Sequence, residues 1–264
     1  MSTASDLKIS HEGHVALVEI SRPPHNFFDF DLIQQIASSF EALDKNPSCR
    51  AIVLASEGTA FCAGADLNWM KKMSAYSEAE NLTDAAALAE MMHAIYRCSK
   101  PTIARIQGDC YAGGMGLVAA CDIAIAQHSV EFCLSEVRLG LIPATISPYV
   151  VRAMGERAAH RYFLTAERFS ADQAKAIGLI HEVAQFDQLD HTVYTMEQTL
   201  LTCSPHAIAD AKQLLRAVAG KEINANLIAD TVQRIANSRA SEQGREGVQA
   251  FLNKRKPTWL SDHS

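Results

Sequence analysis

No stretch of the chain approaches the roughly 18 uninterrupted apolar residues that a membrane-spanning helix needs. The N-terminal MSTASDLKIS carries no apolar h-region, so a secretory signal is not expected and the chain reads as cytoplasmic. Cysteine occurs seven times but never as C-x-x-C. That excludes the usual zinc and dithiol motifs and predicts mostly buried thiols in a reducing compartment. Positive charge is short, with 24 Lys plus Arg against 30 Asp plus Glu and a formal net charge of −6. Such a balance exerts no global pull toward nucleic acid or anionic membrane, so neither is expected as a partner. With 13 Gly, 8 Pro and no low-complexity tract, collagen-like, disordered and repeat architectures are excluded as well.

Several catalytic signatures are also missing. Gly108 and Gly113 have the spacing of P-loop glycines, but Gly114-Met115 stands where Lys-Ser/Thr must grip the phosphates. No G-x-G-x-x-G follows the first apolar strand, and there is no G-x-S-x-G elbow. His11-Glu12-Gly13-His14 has the wrong histidine spacing for a zinc helix and precedes a strand, so no metal is expected.

What is present is an ordinary globular composition, 264 residues with 48% hydrophobic, enough for one large core or two unequal ones. His14 to Ile20 predicts a strand ending at Pro23-Pro24. Leu32, Ile36, Phe40 and Leu43 share one face of a helix that ends near Asn46-Pro47. A strand over Ala51 to Ala55 follows, then a helix marked by Leu88, Met91, Met92 and Ile95 and ending before Pro101. Thr102 to Ile106 and Ile123 to Ala126 read as strands flanking a buried helix at Gly113 to Ala120. Repeated strand-then-helix units with apolar strands indicate an α/β class. Beyond Thr202 the pattern turns helical: Ser204-Pro205 supplies an N-cap and a first-turn proline, and 226–254 reads as helix without a strand.

Two small-residue turns enter helical segments, Ala60-Phe61-Cys62-Ala63-Gly64-Ala65-Asp66-Leu67 and Ala112-Gly113-Gly114-Met115-Gly116. Glycine at such junctions either permits close helix–strand packing or frees backbone N–H groups to meet a ligand. Trp69, just after the first turn, and the pair Met91-Met92 read as packing residues.

These turns belong to a longer ordered set of motifs. It runs from Arg22-Pro23 and Asn26 through FCAGADL, Gly108 to Asp122 and Ser135-Glu136-Val137-Arg138-Leu139-Gly140-Leu141-Ile142-Pro143. ADQAKAIGLIHEV and Glu246-Gly247 with Phe251 to Lys256 complete it. The set resembles the crotonase (enoyl-CoA hydratase/isomerase) superfamily along nearly the whole chain. That resemblance implies a crotonase-like spiral of ββα units over residues 1–201 and a C-terminal helical oligomerisation segment over 202–264. It further implies homotrimers or hexamers formed as dimers of trimers. Leu134 to Tyr149, with Pro143-Ala144-Thr145-Ile146-Ser147 in place of a Pro-Gly-x-Gly-Gly run, is most similar to the bacterial methylglutaconyl-CoA hydratase branch and its acyclic-terpene relatives.

The resemblance also implies roles. The Ala65 and Gly113 backbone N–H groups would form an oxyanion hole for a thioester enolate, and Glu136 would be the acid/base. The earlier glutamate of many hydratases falls at Gly116, which leaves a single carboxylate. The implied reaction is syn addition of water to 3-methylglutaconyl-CoA, giving 3-hydroxy-3-methylglutaryl-CoA in leucine degradation. CoA, carried by the substrate and so no separate cofactor, would lie along Asn26, Phe27, Ala63 and Asp66, with Phe251 and Lys254 near its adenine end. Arg138, and after it Arg152, are candidates for the distal carboxylate of such a substrate, with Ser135 and Ser147 as further donors. Alternatives are a Δ3,Δ2-enoyl-CoA isomerase, a general enoyl-CoA hydratase and, outside enzymes, an RNA-binding protein, which the net charge of −6 disfavours.

Overall fold

The computed structural model describes residues 6–263. The first five residues, part of the segment read as leaderless, lie outside the described residues. The chain opens with an antiparallel hairpin, β1 (Leu7–Glu12) and β2 (Val15–Ile20), and then α1 (Phe30–Lys45). Asp29 caps α1 by accepting from the Leu32 N–H, and Leu32, Ile33, Ile36, Phe40 and Leu43 form its buried stripe.

Three similar units follow. In the first, β3 (Ala51–Ser56) and β4 (Ala60–Cys62) precede α2 (Leu67–Met73) and α3 (Glu78–Arg97). In the second, β5 (Thr102–Ile106) and β6 (Asp109–Tyr111) precede α4 (Gly113–Ala120). In the third, β7 (Ile123–Gln127) and β8 (Glu131–Cys133) lead through a 3-10 turn at Glu136–Leu139 to α5 (Ser147–Thr165). Next come β9 (Phe169–Ser170), α6 (Ala171–Ala176), β10 (Glu182–Ala184) and α7 (Leu189–Thr202). The chain ends with α8 (Pro205–Val218), α9 (Ala225–Ala240), α10 (Glu242–Leu252) and a 3-10 turn at Thr258–His263.

The first strand of each unit joins a six-stranded sheet of order β1-β2-β3-β5-β7-β10, and the second joins a four-stranded sheet, β4-β6-β8-β9. This is the expected spiral of ββα units with a helical C-terminal segment. Beyond the first hairpin every pairing in the larger sheet is parallel. All six residues of β3 are buried, and they divide by alternation between two cores. Ile52 and Leu54 join the larger core with residues of α1, α3, α4 and α5, while Ala51 and Val53 join a smaller one beneath Leu189 and Val193 of α7. Burying a side chain of this size is worth about 1.5–3 kcal/mol. Six of the seven cysteines are buried and all seven are free thiols, with Cys203 exposed.

The C-terminal helices are tied back by polar contacts. Lys212 of α8, only 8% exposed, donates to the Lys100 carbonyl and forms an ion pair with Asp122, whose carboxylate also accepts from Thr102. Arg50 donates to the carbonyls of Leu201, Cys203 and Trp259.

Three features go beyond the sequence expectations. The 226–254 segment is two helices, broken at Ser241, whose extended backbone lets its Oγ cap α10 at the Gly244 N–H. The β1 strand was not anticipated, because only Leu7 of its six residues is buried and LKISHE lacks an apolar run. The short strands of the smaller sheet were missed as well, being two or three residues long and offering no alternation to read. No helix among the described residues is long and apolar enough to cross a membrane.

The smaller sheet depends on close backbone approach at the turn before β6. A Cβ on Gly108 would lie 2.1 Å from the Thr59 carbonyl oxygen. We therefore expect Gly108→Ala to force β4 and β6 apart and to cost about 3 kcal/mol or more, measured as a fall in the denaturation midpoint.

Candidate active site

The smaller sheet sends three strand ends to one place. Its parallel strands β4, β6 and β8 pair Cys62 with Cys110 and Tyr111 with Cys133. They run directly into Ala63-Gly64-Ala65-Asp66, Ala112-Gly113 and Leu134-Ser135-Glu136 respectively. Carboxyl ends of parallel strands are where α/β folds gather ligands. A Cβ built on Gly64 would lie 3.4 Å from the Ala112 Cβ, so the first two turns touch. The third is tied in by the Ala112 N–H, which donates to the Cys133 carbonyl at 2.9 Å.

Hydrogen bonds set the aim of each turn. The Phe28 N–H donates to the Gly64 carbonyl at 2.8 Å, and the Asp66 N–H donates to the Phe28 carbonyl at 2.7 Å. Because a peptide is planar and trans, a Gly64 carbonyl turned to Phe28 sends the Ala65 N–H the opposite way. In the second turn the Ala112 carbonyl accepts from Met115 at 2.9 Å, which by the same rule sends the Gly113 N–H away from the body of α4. Neither the Ala65 nor the Gly113 N–H has a hydrogen-bond partner among the described residues. Ala112 holds φ +48° and ψ −122°, a conformation costing a non-glycine residue on the order of 1–3 kcal/mol. The Phe28 ring lies beneath the second turn, where a Cβ on Gly113 would come within 3.1 Å of it. Phe28 thus braces both turns; nothing in the linear pattern distinguishes it from its neighbour Phe27, since one apolar residue in a loop carries no periodic signal.

Glu136 opens the 3-10 turn after β8, and that turn closes at Gly140 in the left-handed region with φ +74°. Its Oε2 is buried without a hydrogen-bond partner. Burial raises the carboxyl above its ordinary range. A carboxyl raised by burial is a better proton donor and acceptor pair for one reaction than a fully solvated one. The cysteines below are not reactive partners, since burial pushes the Cys62 thiol up to about 12 and Cys110 well above its usual value.

Gly116 is buried within α4, and the space beside it is filled. A Cβ there would meet the Ile146 Cγ2 at 2.3 Å and the Met92 Cε at 2.8 Å. Ile146 lies in the Pro143-Ala144-Thr145-Ile146-Ser147 run, so the departure from the common loop sequence and the missing carboxylate meet at one contact.

The other predicted residues divide. Ala63, Asp66 and Phe27 are half-buried around the first turn, and the Asp66 side chain caps α2 at the Asn68 and Trp69 N–H groups. Asn26 is fully buried. Its amide donates to the Glu57 and Ala60 carbonyls and accepts from the Arg22 N–H, using its polar atoms to shape the loop. Arg138, read as a partner for a distal carboxylate, donates to the Ala166 carbonyl at 2.6 Å at the end of α5. Arg152 donates to the Tyr96 hydroxyl, and the Ser147 hydroxyl donates to the Ala144 carbonyl. Phe251, 82% exposed, and Lys254 lie at the end of α10, which packs mainly on α9 and α8. Trp69 is core, as read, and its indole N–H donates to Asp84. No cluster of three or more metal-ligating side chains is present among the described residues.

The chain is similar to known proteins along most of its length. Residues 10–262 match the family described as enoyl-CoA hydratase/isomerase. The crystal structure of an enoyl-CoA hydratase from Shewanella pealeana superposes with a TM-score of 0.94 at 43% identity, covering 97% of this chain and 96% of that one. A 2,3-dehydroadipyl-CoA hydratase from Escherichia coli is 30% identical over 96% of this chain and 98% of its own length. A mevalonyl-coenzyme A hydratase from Aspergillus fumigatus is 32% identical over 93% of this chain and 91% of its own.

Two outcomes are expected of this site. Gly116→Ala should cost about 1–3 kcal/mol by overpacking. Combined with Ile146→Ala, it should cost less than the two single changes added together, with a coupling of about 0.5–3 kcal/mol in a denaturation double-mutant cycle. For Glu136, a raised carboxyl means that the folded state binds the proton more tightly than the unfolded chain. Its contribution to stability is therefore full at low pH and is lost as pH rises from about 4.3 through the elevated value. Glu136→Gln should match the parent's thermal midpoint at low pH and exceed it at neutral pH.

Proposed function

The chain belongs to the enoyl-CoA hydratase/isomerase family, and from that premise we propose that it hydrates a branched, carboxylate-bearing enoyl-CoA, 3-methylglutaconyl-CoA above all. The observation carrying this reading is a buried, unpartnered Glu136 oxygen on the strand end next to two unpartnered backbone N–H groups. The thioester oxygen accepts from the Ala65 and Gly113 N–H groups. Glu136 takes a proton from water as its oxygen bonds to C3, and electron density moves through C2 onto the thioester oxygen as an enolate. The same carboxyl then returns a proton to C2, so the product gains H and OH on one face and Glu136 is restored. Each main-chain donor is worth about 3–4 kcal/mol of barrier.

Two relatives support the acyl class by the chemistry of their named substrates. Dehydroadipyl-CoA carries a distal carboxylate, and mevalonyl-CoA carries a methyl branch at C3. In 3-methylglutaconyl-CoA both features occur together, and its hydration belongs to leucine degradation. CoA itself lies along Phe27, Ala63 and Asp66, with Asn26 shaping that loop and Phe251 and Lys254 received from a neighbouring subunit. With Arg138 committed to Ala166, the distal carboxylate uses the remaining N–H groups of that guanidinium.

Self-association completes this reading, as a homotrimer or a dimer of trimers. Ile228, Val232 and Ile235 form an i, i+4, i+7 stripe on α9, all about half exposed or more. Residues 1–201 then form the catalytic core and 202–264 the associating segment of a cytoplasmic enzyme whose one CoA arrives with the substrate. A second reading, Δ3,Δ2-enoyl-CoA isomerisation, is favoured by the apolar Ile146–Met92 filling beside Gly116, because isomerisation needs one proton-shuttling carboxylate and no activated water.

Incubation with 3-methylglutaconyl-CoA, crotonyl-CoA and a 3-enoyl-CoA, followed by mass spectrometry, tests the assignment. Water addition to the glutaconyl ester is expected, with Glu136→Gln slowing it on the order of 10²–10⁴-fold. Rearrangement of the 3-enoyl ester without a change in mass, and no reaction of the glutaconyl ester, would move the assignment to the isomerase.

A further inference from the structure

The helix that carries the first turn forward is short and poorly anchored by itself. The seven residues of α2 are too few to be stable as an isolated helix. Leu67, Asn68, Lys71 and Lys72 are exposed, so most of its surface meets solvent. Its one deeply buried residue is Trp69, 7% exposed and part of the larger core. The Trp69 indole N–H donates to the Asp84 carboxylate of α3 at 2.9 Å.

Asp84 is an unexpected residue for that place. It is 9% exposed, while Thr83, Ala85 and Ala86 around it in α3 are exposed, so this helix turns an acid inward from a solvent-facing stretch. It has no ion-pair partner among the described residues. A carboxylate taken out of water without a cation carries a desolvation cost that apolar packing of Trp69 would avoid. What the carboxylate adds is direction. Ring packing lets an indole slide, whereas a charge-assisted hydrogen bond holds one edge of it at one point.

That point lies three residues beyond Asp66, the residue that caps α2 and follows Ala65. On its other side the turn is fixed by the paired hydrogen bonds to Phe28. We propose that the Trp69–Asp84 hydrogen bond is a positioning device that clamps the Gly64–Asp66 turn against Phe28 and so sets the aim of the Ala65 N–H. This inference rests on the oxyanion role given to Ala65 above. Neither residue touches substrate; both act through the turn.

The test uses the full-length protein and three variants, Trp69→Phe, Asp84→Ala and Asp84→Asn. Trp69→Phe keeps an aromatic ring in the core, though a smaller one, and deletes the donor. Asp84→Asn keeps an oxygen acceptor, and Asp84→Ala removes it. We expect Trp69→Phe and Asp84→Ala to lower kcat roughly 10- to 100-fold, the scale of a small misplacement of a catalytic group. KM should change less than about threefold, and Asp84→Asn should recover most of the lost rate.

A second readout does not need turnover. Acetoacetyl-CoA bound at an oxyanion hole is drawn toward its enolate, which is followed by ultraviolet absorbance. The Trp69→Phe and Asp84→Ala variants should show a smaller enolate fraction at saturation, with unchanged affinity for free CoA. If the wild-type protein forms the enolate but turns over none of the offered substrates, and the variants weaken that enolate, the substrate assignment fails and the positioning role stands. A full wild-type enolate signal that the variants leave unchanged, or equal loss in Asp84→Ala and Asp84→Asn, overturns the positioning role alone. No enolate in the wild-type protein overturns both.

Discussion

Phe28 is the contact on which the candidate site depends. Its backbone forms an isolated bridge with Ala65, which orients the Gly64 carbonyl and the Asp66 N–H, while its ring lies beneath Gly113. One buried residue therefore sets the relation between two N–H donors that belong to different strand ends. Around it the smaller sheet supplies the rest of the frame. The stacking of β4, β6 and β8 at strand spacing brings the first turn, the second turn and Glu136 together, although they are far apart in the chain.

Polar satisfaction distinguishes the site from its surroundings. Asn26 uses its amide internally, Asp66 caps a helix, and Arg22 is held by the Phe27 carbonyl and Asp29. Against that background the Ala65 and Gly113 donors and the Glu136 oxygen are left unpaired. Buried polar groups ordinarily find partners, because leaving one alone costs about 1–3 kcal/mol. One buried carboxylate oxygen and two half-buried N–H groups, all unpaired and gathered at strand ends, are the arrangement on which the proposed function rests.

The Gly116–Ile146 contact shows how an apparent loss in the sequence is structurally complete. Where a second carboxylate would begin, Ile146 and Met92 already occupy the volume. The glycine and the altered loop are thus one packing solution, and a glutamate restored at 116 alone would have nowhere to go. The C-terminal helices show the opposite condition, since Ile228, Val232 and Ile235 of α9 stay about half exposed among the described residues.

The sequence by itself determined what is local or periodic. The α1 stripe, the buried strands at Ala51 and Thr102, the Ser204-Pro205 helix start and the small-residue turns were legible, because each depends on spacing or on a cap within a few residues. Ordered motifs along the chain carried the spiral and the family. Tertiary structure alone decided the rest. Strands of two or three residues exist only through their neighbours, so the smaller sheet had no signature of its own. The inward turn of Asn26, the commitment of Arg138 to Ala166, the bracing by Phe28 and the Trp69–Asp84 hydrogen bond all join residues distant in sequence or set side-chain direction. Hydrogen-bond direction and steric exclusion are properties of three-dimensional placement, and a linear pattern of residue types does not encode them one position at a time.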